Sequence, residues 1–532
     1  MVCWTALMTF TIGPNWAQPP VPSLTTSDVR QLIGRAARAV SDQAMVIAVV
    51  DRAGRVLGVF RKPAAPQTAV GNFGKLVDTN DLAISLARTG AFFANDQAPL
   101  SSRTVRFVSG IHFPPGIAFV ANAALYGIEN TNRGCPLDPQ LDALIPRAKS
   151  LAGTLNNLPC TSSDRSGCGL GITTGKADLS DHTPYPDALN PGGIPIFKNG
   201  RVVGGIGVVV GTTGEKGPQA EQAAFAAICA PPFLASALPL PTPGVIYLDG
   251  IRLPFAVING QELPPIPDGF QCPAASSADV NNFPQPGEGG FVVQPLDGQI
   301  VPDGWLTGPR AGKMLTRAEV ERIVQQAIDT ASRTRAAIRL PAGSRARFVI
   351  AVGDVDGSML GVFRMPDATV FSIDVAVTKA RNVVYFSSAE LNAQDLPGVP
   401  MGTAVSNRTI SFGSQPLYPA GIGPGRGPFN QASAGPFFEL YKFDSDNPCT
   451  QGRQLQNPNQ SGIVFFPGSL PLYKNGQLVG GLGISGDGVE QDDYVAAAGA
   501  LGFEPPPNIR ADHVVIRNVR LPYLKFPRNP ER

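Results

Sequence analysis

The chain has 532 residues, 43% hydrophobic and 16% charged, with a formal net charge of +2. That length and apolar content suffice for two buried cores and exclude a disordered chain. A near-neutral balance with no long basic or acidic run leaves no electrostatic basis for a nucleic-acid or anionic-membrane partner. Residues 1–23 open with an apolar run from Val2 to Ile12, and Trp16-Ala17-Gln18 is similar to a cleavage site, yet no Lys or Arg precedes Arg30. This stretch is read as an export-signal remnant or an N-terminal arm. No apolar run is long enough to span a membrane.

The first predicted helix, residues 24–40 (LTTSDVRQLIGRAARAV), has a counterpart at 315–331 (LTRAEVERIVQQAIDTA). In each, a Thr (Thr25, Thr316) stands three residues before an acid (Asp28, Glu319), the reciprocal pattern that caps a helix start. Val29, Ile33, Ala36 and Val40, like Val320, Val324, Ala327 and Ala331, make one apolar face for a core. A strand-turn-strand unit follows and is also duplicated: MVIAVVDRAGRVLGVFR (45–61) matches FVIAVGDVDGSMLGVFR (348–364) at eleven of seventeen positions. Asp51 to Gly54 and Asp354 to Gly357 supply the turns. Asp354 and Asp356 lack the rest of a calcium loop's oxygen pattern. A second helix, DLAISLARTGAFF (81–93), matches DVAVTKARNVVYF (374–386), with Lys379 where the first copy has Leu86. A lone helix lysine is read as a solvated side chain.

Each copy then carries an individual insertion, about 108–190 in the first and about 402–467 in the second. Cys135 follows Tyr126 by nine residues and Cys449 follows Tyr441 by eight, so the two cysteines look equivalent and are expected to bridge either to the linker or to each other. After the insertions come GGIPIFKNGRVVGGIG (192–207) and GSLPLYKNGQLVGGLG (468–483). Asn199-Gly200 and Asn475-Gly476 fit two-residue hairpin turns. The glycines beyond them, Gly204, Gly205, Gly480 and Gly481 among them, leave a strand face without side chains, which another backbone or a flat ligand can approach. The repeat extends to a strand-like tail, in which Leu253-Pro254 corresponds to Leu521-Pro522. The resulting division is a first module at 24–256, a Pro/Gly-rich connector at 257–311 and a second module at 312–532. With Phe270, Phe283, Phe291 and Trp305 in it, the connector is too apolar to float free and is expected to lie against the modules.

Beyond Cys3 there are six cysteines, and all but Cys229 lie in loop-like surroundings. An even set of this kind fits disulfides in an oxidising compartment, periplasmic or extracellular, with the connectivity open. No Cys-x-x-Cys or nearby His pair supports zinc, and no Cys-x-x-Cys-His supports covalent haem. Hydrolase and phosphate-loop motifs are also missing.

The order of capped helix, A-V-x-D-x-x-G-x-x-L-G-V-F-R hairpin, D-x-A-x-x-x-A-R helix and late P-x-x-K-N-G-x-x-V-G-G-x-G hairpin resembles the haem-binding GlcG/HbpS family in tandem. Residues 483–500 (GISGDGVEQDDYVAAAGA) are especially similar to its closing strand and acidic helix start, whereas the first copy lacks the paired Asp492 and Asp493. The resemblance implies an α+β fold of two profilin-like modules, each an antiparallel sheet flanked by helices, packed as an internal pseudo-dimer and able to form further homo-oligomers. It also implies haem or iron, and sometimes corrinoid, as ligand. Of three histidines, His112, beside Phe113, is the candidate axial ligand to a haem iron, since a neutral imidazole at a strand end can meet iron in an apolar slot. His182, His513 and Met401 are weaker candidates. The site set is therefore His112 as iron ligand, with Gly204, Gly205, Gly480 and Gly481 as the flat face against a tetrapyrrole. Three functions stay open: an exported binding protein for haem or a related tetrapyrrole or iron ligand, a non-catalytic structural or assembly protein using its loops as contact surfaces, and a small-molecule or haem-degrading enzyme. For the last, no acid-base pair can be named from the sequence.

Overall fold

A computed structural model of the protein describes residues 22–110, 113, 125–145, 190–213, 216–233, 246–258, 261–262, 283–293, 297–416, 418 and 434–531. Helix α1 (Thr26–Ala39) starts where Thr25 and Asp28 exchange side-chain-to-amide hydrogen bonds. The first module continues with β1 (Met45–Asp51), β2 (Val56–Arg61), α2 (Thr79–Phe93), α3 (Ser102–Ser109), α4 (Pro139–Leu144), β3 (Gly193–Lys198), β4 (Arg201–Val210) and α5 (Gly217–Ile228). Two short strands follow, β5 (Gly290–Val293) and β6 (Gly304–Thr307). The second module comprises α6 (Arg317–Ala331), β7 (Phe348–Gly353), β8 (Met359–Arg364), α7 (Phe371–Phe386), α8 (Asn407–Gly413), α9 (Phe438–Asp446), β9 (Ser469–Lys474), β10 (Gln477–Gly486) and α10 (Val489–Gly499). Thr316 and Glu319 cap α6 in the same reciprocal way.

The two five-stranded sheets have one topology. Their orders are β5-β2-β1-β4-β3 and β6-β8-β7-β10-β9, antiparallel throughout. Registers agree as well: Ala48 lies opposite Gly207 and Val50 opposite Gly205, while Ala351 lies opposite Gly483 and Gly353 opposite Gly481. Even the hairpin irregularities coincide, at Ile196/Phe197 and Leu472/Tyr473. The Asn-Gly turns take positive φ at both residues, 50° and 77° in each copy, as a tight hairpin between right-twisted strands requires.

Of the two occupants open to the glycine face, each module gives it a helix backbone. A Cβ on Gly205 would lie 2.0 Å from the Ala87 carbonyl oxygen of α2, and one on Gly481 would lie 2.2 Å from that of Ala380 in α7. Gly207 and Gly483 meet Ala83 and Ala376 in the same manner. Gly204 and Gly480 point to the opposite face, where Leu24 and Leu315 cover them. Helices α1 with α5, and α6 with α10, pack on that second face. Buried Arg88 and Arg381 tie each seated helix to the turn beside it, donating from Nε to the Gly54 and Gly357 carbonyls at 2.8 and 2.9 Å.

The described parts of the stretch read as a connector lie on the modules, in two places as sheet. Strand β5 pairs Gly290 with Arg61 and Phe291 with Phe60, and β6 pairs Gly304 with Arg364 and Trp305 with Phe363. The two segments, 304 − 290 = 14 residues apart, are therefore equivalent edge strands. The equivalence continues past the strands: the Gln299 amide donates to Asp51 Oδ2 at 2.8 Å and the Lys313 amide to Asp354 Oδ2 at 2.7 Å.

The modules share a buried seam. Phe93 and Phe371 have ring centroids 4.9 Å apart, and the Val370 amide donates to the Phe92 carbonyl at 3.1 Å. Residues 125–145, from the first module's insertion, lie on the second module. Arg381 Nη1 donates to the Pro136 carbonyl at 2.9 Å and the Asn132 amide to Asp374 Oδ1 at 3.0 Å. Cys135 and Cys449 bridge to each other, one of the two pairings left open above.

If helix backbone rests directly on the sheet, a single methyl group there must disturb the packing. Gly205→Ala and Gly481→Ala are each expected to lose about 1–3 kcal/mol in urea unfolding, the usual overpacking cost. Gly290→Ala, with open space around its Cβ position, should be tolerated. Equal stability of all three variants would remove the contact from the account.

Candidate functional site

A dense set of buried charge lies in the second module. Lys379, on α7, is fully buried, which corrects its reading as a solvated side chain. Its Nζ donates to the Ile484 carbonyl at 2.7 Å and to Asp492 Oδ2 at 3.0 Å, and sits 4.9 Å from the Phe466 ring centroid. Asp492 and its neighbour Asp493 occupy the start of α10, where the helix dipole favours negative charge. Arg408 of α8 donates to Asp493 Oδ2, which also accepts the Lys525 amide at 3.0 Å. Two cations from two helices thus pin α10 to α7 and α8.

Burial dominates the protonation of this set. It pushes the Asp492 carboxyl up to about 7 against the pull of Lys379, and pushes the Lys379 ammonium down. Displaced ionisations of this kind suit acid-base chemistry. Yet Lys379 and Asp492 are 0% and 3% exposed, and a Cβ on Gly468 would lie 2.7 Å from Lys379 Nζ. With no room for a reactant, the pair acts as an internal pin. The first module dispenses with it: Leu86 stands for Lys379 and Ala220 for Asp492, which brings Ala220 against Gly192 as Asp492 lies against Gly468. The outer pair is kept there as Arg103 with Glu221, at 2.7 Å. The signal was present in the sequence, since the lysine and the aspartate are absent from the same copy.

A second buried charge lies at the seam. Asp444 of α9 accepts from Asn130 Nδ2 at 2.6 Å and from the Ile463 amide at 3.0 Å, and Arg133 Nη1 donates to its backbone carbonyl at 2.9 Å. Burial raises the Asp444 carboxyl to about 6. Beside it Tyr126 and Tyr441 lie with ring centroids 5.0 Å apart, and burial raises the Tyr441 phenol. This cluster fastens the first module's insertion to the second module.

Open space is found around Trp305. One groove, of about 600 Å³, lies between α6 and the β6/β8 edge, and another, of about 710 Å³, runs between α4 and β6 past Gln140, Leu144 and Arg310. Among the described residues, neither is lined by His, Cys, Met or Tyr. Among the described residues no group of three or more His, Cys, Asp or Glu could hold a metal. His112, the candidate iron ligand, lies outside the described residues, as does His182. His513 is exposed on a short 3₁₀ turn and Met401 is 63% exposed. Gly205 and Gly481 are covered by helix, and Gly204 and Gly480 lie on the other sheet face. Among the described residues, the four predicted glycines line neither groove.

Residues 315–501 match the family model described as haem degrading protein HbpS-like. The chain is 50% identical over 53 residues, 10% of its length and 37% of the relative's, to an uncharacterized 15.0 kDa protein of the dhaT-dhaS intergenic region of Citrobacter freundii. It is 27% identical over 165 residues to the corrinoid adenosyltransferase PduO of the same organism, covering 31% of this chain and 34% of that one. It thus spans about a third of the length of these curated relatives. Among solved structures, the PduOC:heme complex aligns at TM-score 0.21 and 23% identity, over 36% of this chain and 95% of that one. The Klebsiella pneumoniae protein ORFY aligns at 0.21 and 20%, over 36% and 90%.

The duplicate supplies its own control for the buried pair. Lys379→Leu alone strands Asp492 and is expected to cost about 3–5 kcal/mol, whereas Lys379→Leu with Asp492→Ala, the first module's combination, should fall near wild type. The pH dependence has a definite sign. A folded-state pKa raised above the unfolded one gives stability that is full below the ordinary carboxylate range and is lost as pH rises to about 7. Urea unfolding between pH 4 and 7 should show that one-proton slope reduced in the double variant; an unchanged slope would reassign it to other buried carboxylates.

Proposed function

We propose that this protein, whose residues 315–501 fall within the HbpS-like family, is a binding protein for haem or a related tetrapyrrole. The observation that carries the reading is the family match across the framework of the second module, from the start of α6 to the end of α10. The first module repeats that framework strand for strand, which supports extending the reading to it. The proposal includes two profilin-like modules paired as an internal pseudo-dimer. Contacts between α2 and the start of α7, such as Phe93 on Phe371, support that pairing.

The glycine face is occupied by helix, so the proposed ligand would lie elsewhere, with His112 as the residue that would hold its iron. A bound haem would supply the iron chemistry; the chain's part is to enclose it and exclude water. Binding is preferred to degradation because the displaced carboxyl and ammonium groups described above are sealed from any reactant. Disulfide-bonded Cys135, Cys449 and Cys229 support a periplasmic or extracellular setting. One observation favours the assembly reading as a second choice: the open grooves flank the edge strand β6.

Hemin titration followed at the Soret band tests the proposal. A saturable band is expected for the wild type, with loss or displacement of that band in His112→Ala at an unchanged urea midpoint. No band in the wild type would overturn haem binding, while a band indifferent to His112→Ala would overturn only the ligand assignment.

A further inference from the structure

The two modules treat one groove differently. In the first module, the space between α1 and the β2/β5 edge is filled by the chain itself. Phe283 is buried there against Phe60 and Phe291, with centroids 4.8 and 5.9 Å away. The Arg38 guanidinium lies over its ring at 5.5 Å, and Arg30 lies over Phe291 at 5.4 Å while donating to the Phe283 carbonyl at 3.4 Å. The same segment continues through Pro284 to Glu288, whose carboxylate reaches Arg38 at 3.8 Å. An aromatic-proline segment with a charged residue five positions on is thus the native filling of this groove.

In the second module no described segment fills the matching groove in that way. Gly58 is approached by Val29 and Phe291, and its counterpart Gly361 by Val320 and Trp305, which fixes the correspondence. The groove of about 600 Å³ is lined by Trp305, Phe363, Val324, Gln325, Ile328, Glu321 and Arg322, where the first module has Phe291, Phe60, Ile33, Gly34, Ala37, Arg30 and Gln31. Gln325 and Ile328 are larger than Gly34 and Ala37, so the floor is shallower. Trp305 is left 38% exposed. The rim shifts toward negative charge: Glu321 and Asp329, both exposed, replace Arg30 and Arg38, while Arg322 replaces Gln31 and Glu321 pairs with Arg317 at 2.9 Å.

We propose that the α6/β6 groove of the second module docks a partner peptide of the kind that fills its twin, an aromatic-proline segment, carrying a basic residue in place of the acid. The ring lies across Trp305 and Phe363, the proline keeps the segment extended at low entropic cost, and the basic side chain meets Asp329 as Glu288 meets Arg38. Rim charges of this sort set partner choice and encounter rate.

The probe is a labelled peptide of residues 283–290, as it stands and with Glu288→Lys, titrated into the full chain and followed by anisotropy. The Lys peptide is expected to bind about tenfold or more tighter than the Glu peptide, a difference of about 1.4 kcal/mol. Glu321→Lys with Asp329→Lys should reverse that order, and both substitutions sit on the exposed helix face, where the fold tolerates them. Trp305→Ala should abolish binding of either peptide. Binding that ignores the charge reversal and Trp305→Ala would overturn the proposal. So would failure of both peptides to bind.

Discussion

Each module depends on a helix lowered onto a sheet until backbone meets backbone. Positions 205 and 207, and 481 and 483, are glycine because a carbonyl of α2 or α7 occupies the place where a Cβ would stand. Close approach of this kind gains dispersion over the whole length of the helix, since the protein interior is packed without voids. It also aligns the rest of the module. With the helix seated, Arg88 and Arg381 reach the β-turn carbonyls, and the first residues of α7 come to the seam. The consequence for ligand binding is direct: the flattest surface in the fold is internal.

Because the core occurs twice, each half is a control for the other. The Lys379–Asp492 pair is dispensable to the architecture, since Leu86 and Ala220 occupy the same places in the first module and leave register and topology unchanged. A buried pair replaced by apolar residues is expected to be close to neutral, because desolvation of two charges offsets most of their attraction. What the pair adds is a fixed partner for the start of α10. The α1 and α6 grooves show the converse divergence, in which a filled site in one half faces an open one in the other.

The halves are joined by more than their helices. Residues 125–145 carry first-module chain onto the second module, where a disulfide, the Asp444 carboxylate and two tyrosine rings hold them. Ordering so long a segment costs conformational entropy, and the Cys135–Cys449 bridge, the Asn130–Asp444 hydrogen bond and the Tyr126–Tyr441 ring contact give it a single position. The connector makes a comparable contribution by adding one edge strand to each sheet, which covers hydrogen-bonding groups that would otherwise face solvent.

The sequence alone determined the caps of α1 and α6, the Asn-Gly turns and the pairing within each hairpin, in both copies of these motifs. All of these are written in residues close together along the chain, where Thr-x-x-Asp or Asn-Gly acts through local backbone geometry. It also narrowed the partners of Cys135 and Cys449. Tertiary structure decided everything that depends on which surfaces meet. The glycine face admitted a helix in preference to a flat ligand, Lys379 went inside because Asp492 arrives 113 residues later to receive it, and Gly290-Phe291 and Gly304-Trp305 became equivalent edges. Spacing within a segment cannot state these outcomes, because burial and charge pairing are properties of the space between segments, and that space exists only once the chain has closed on itself.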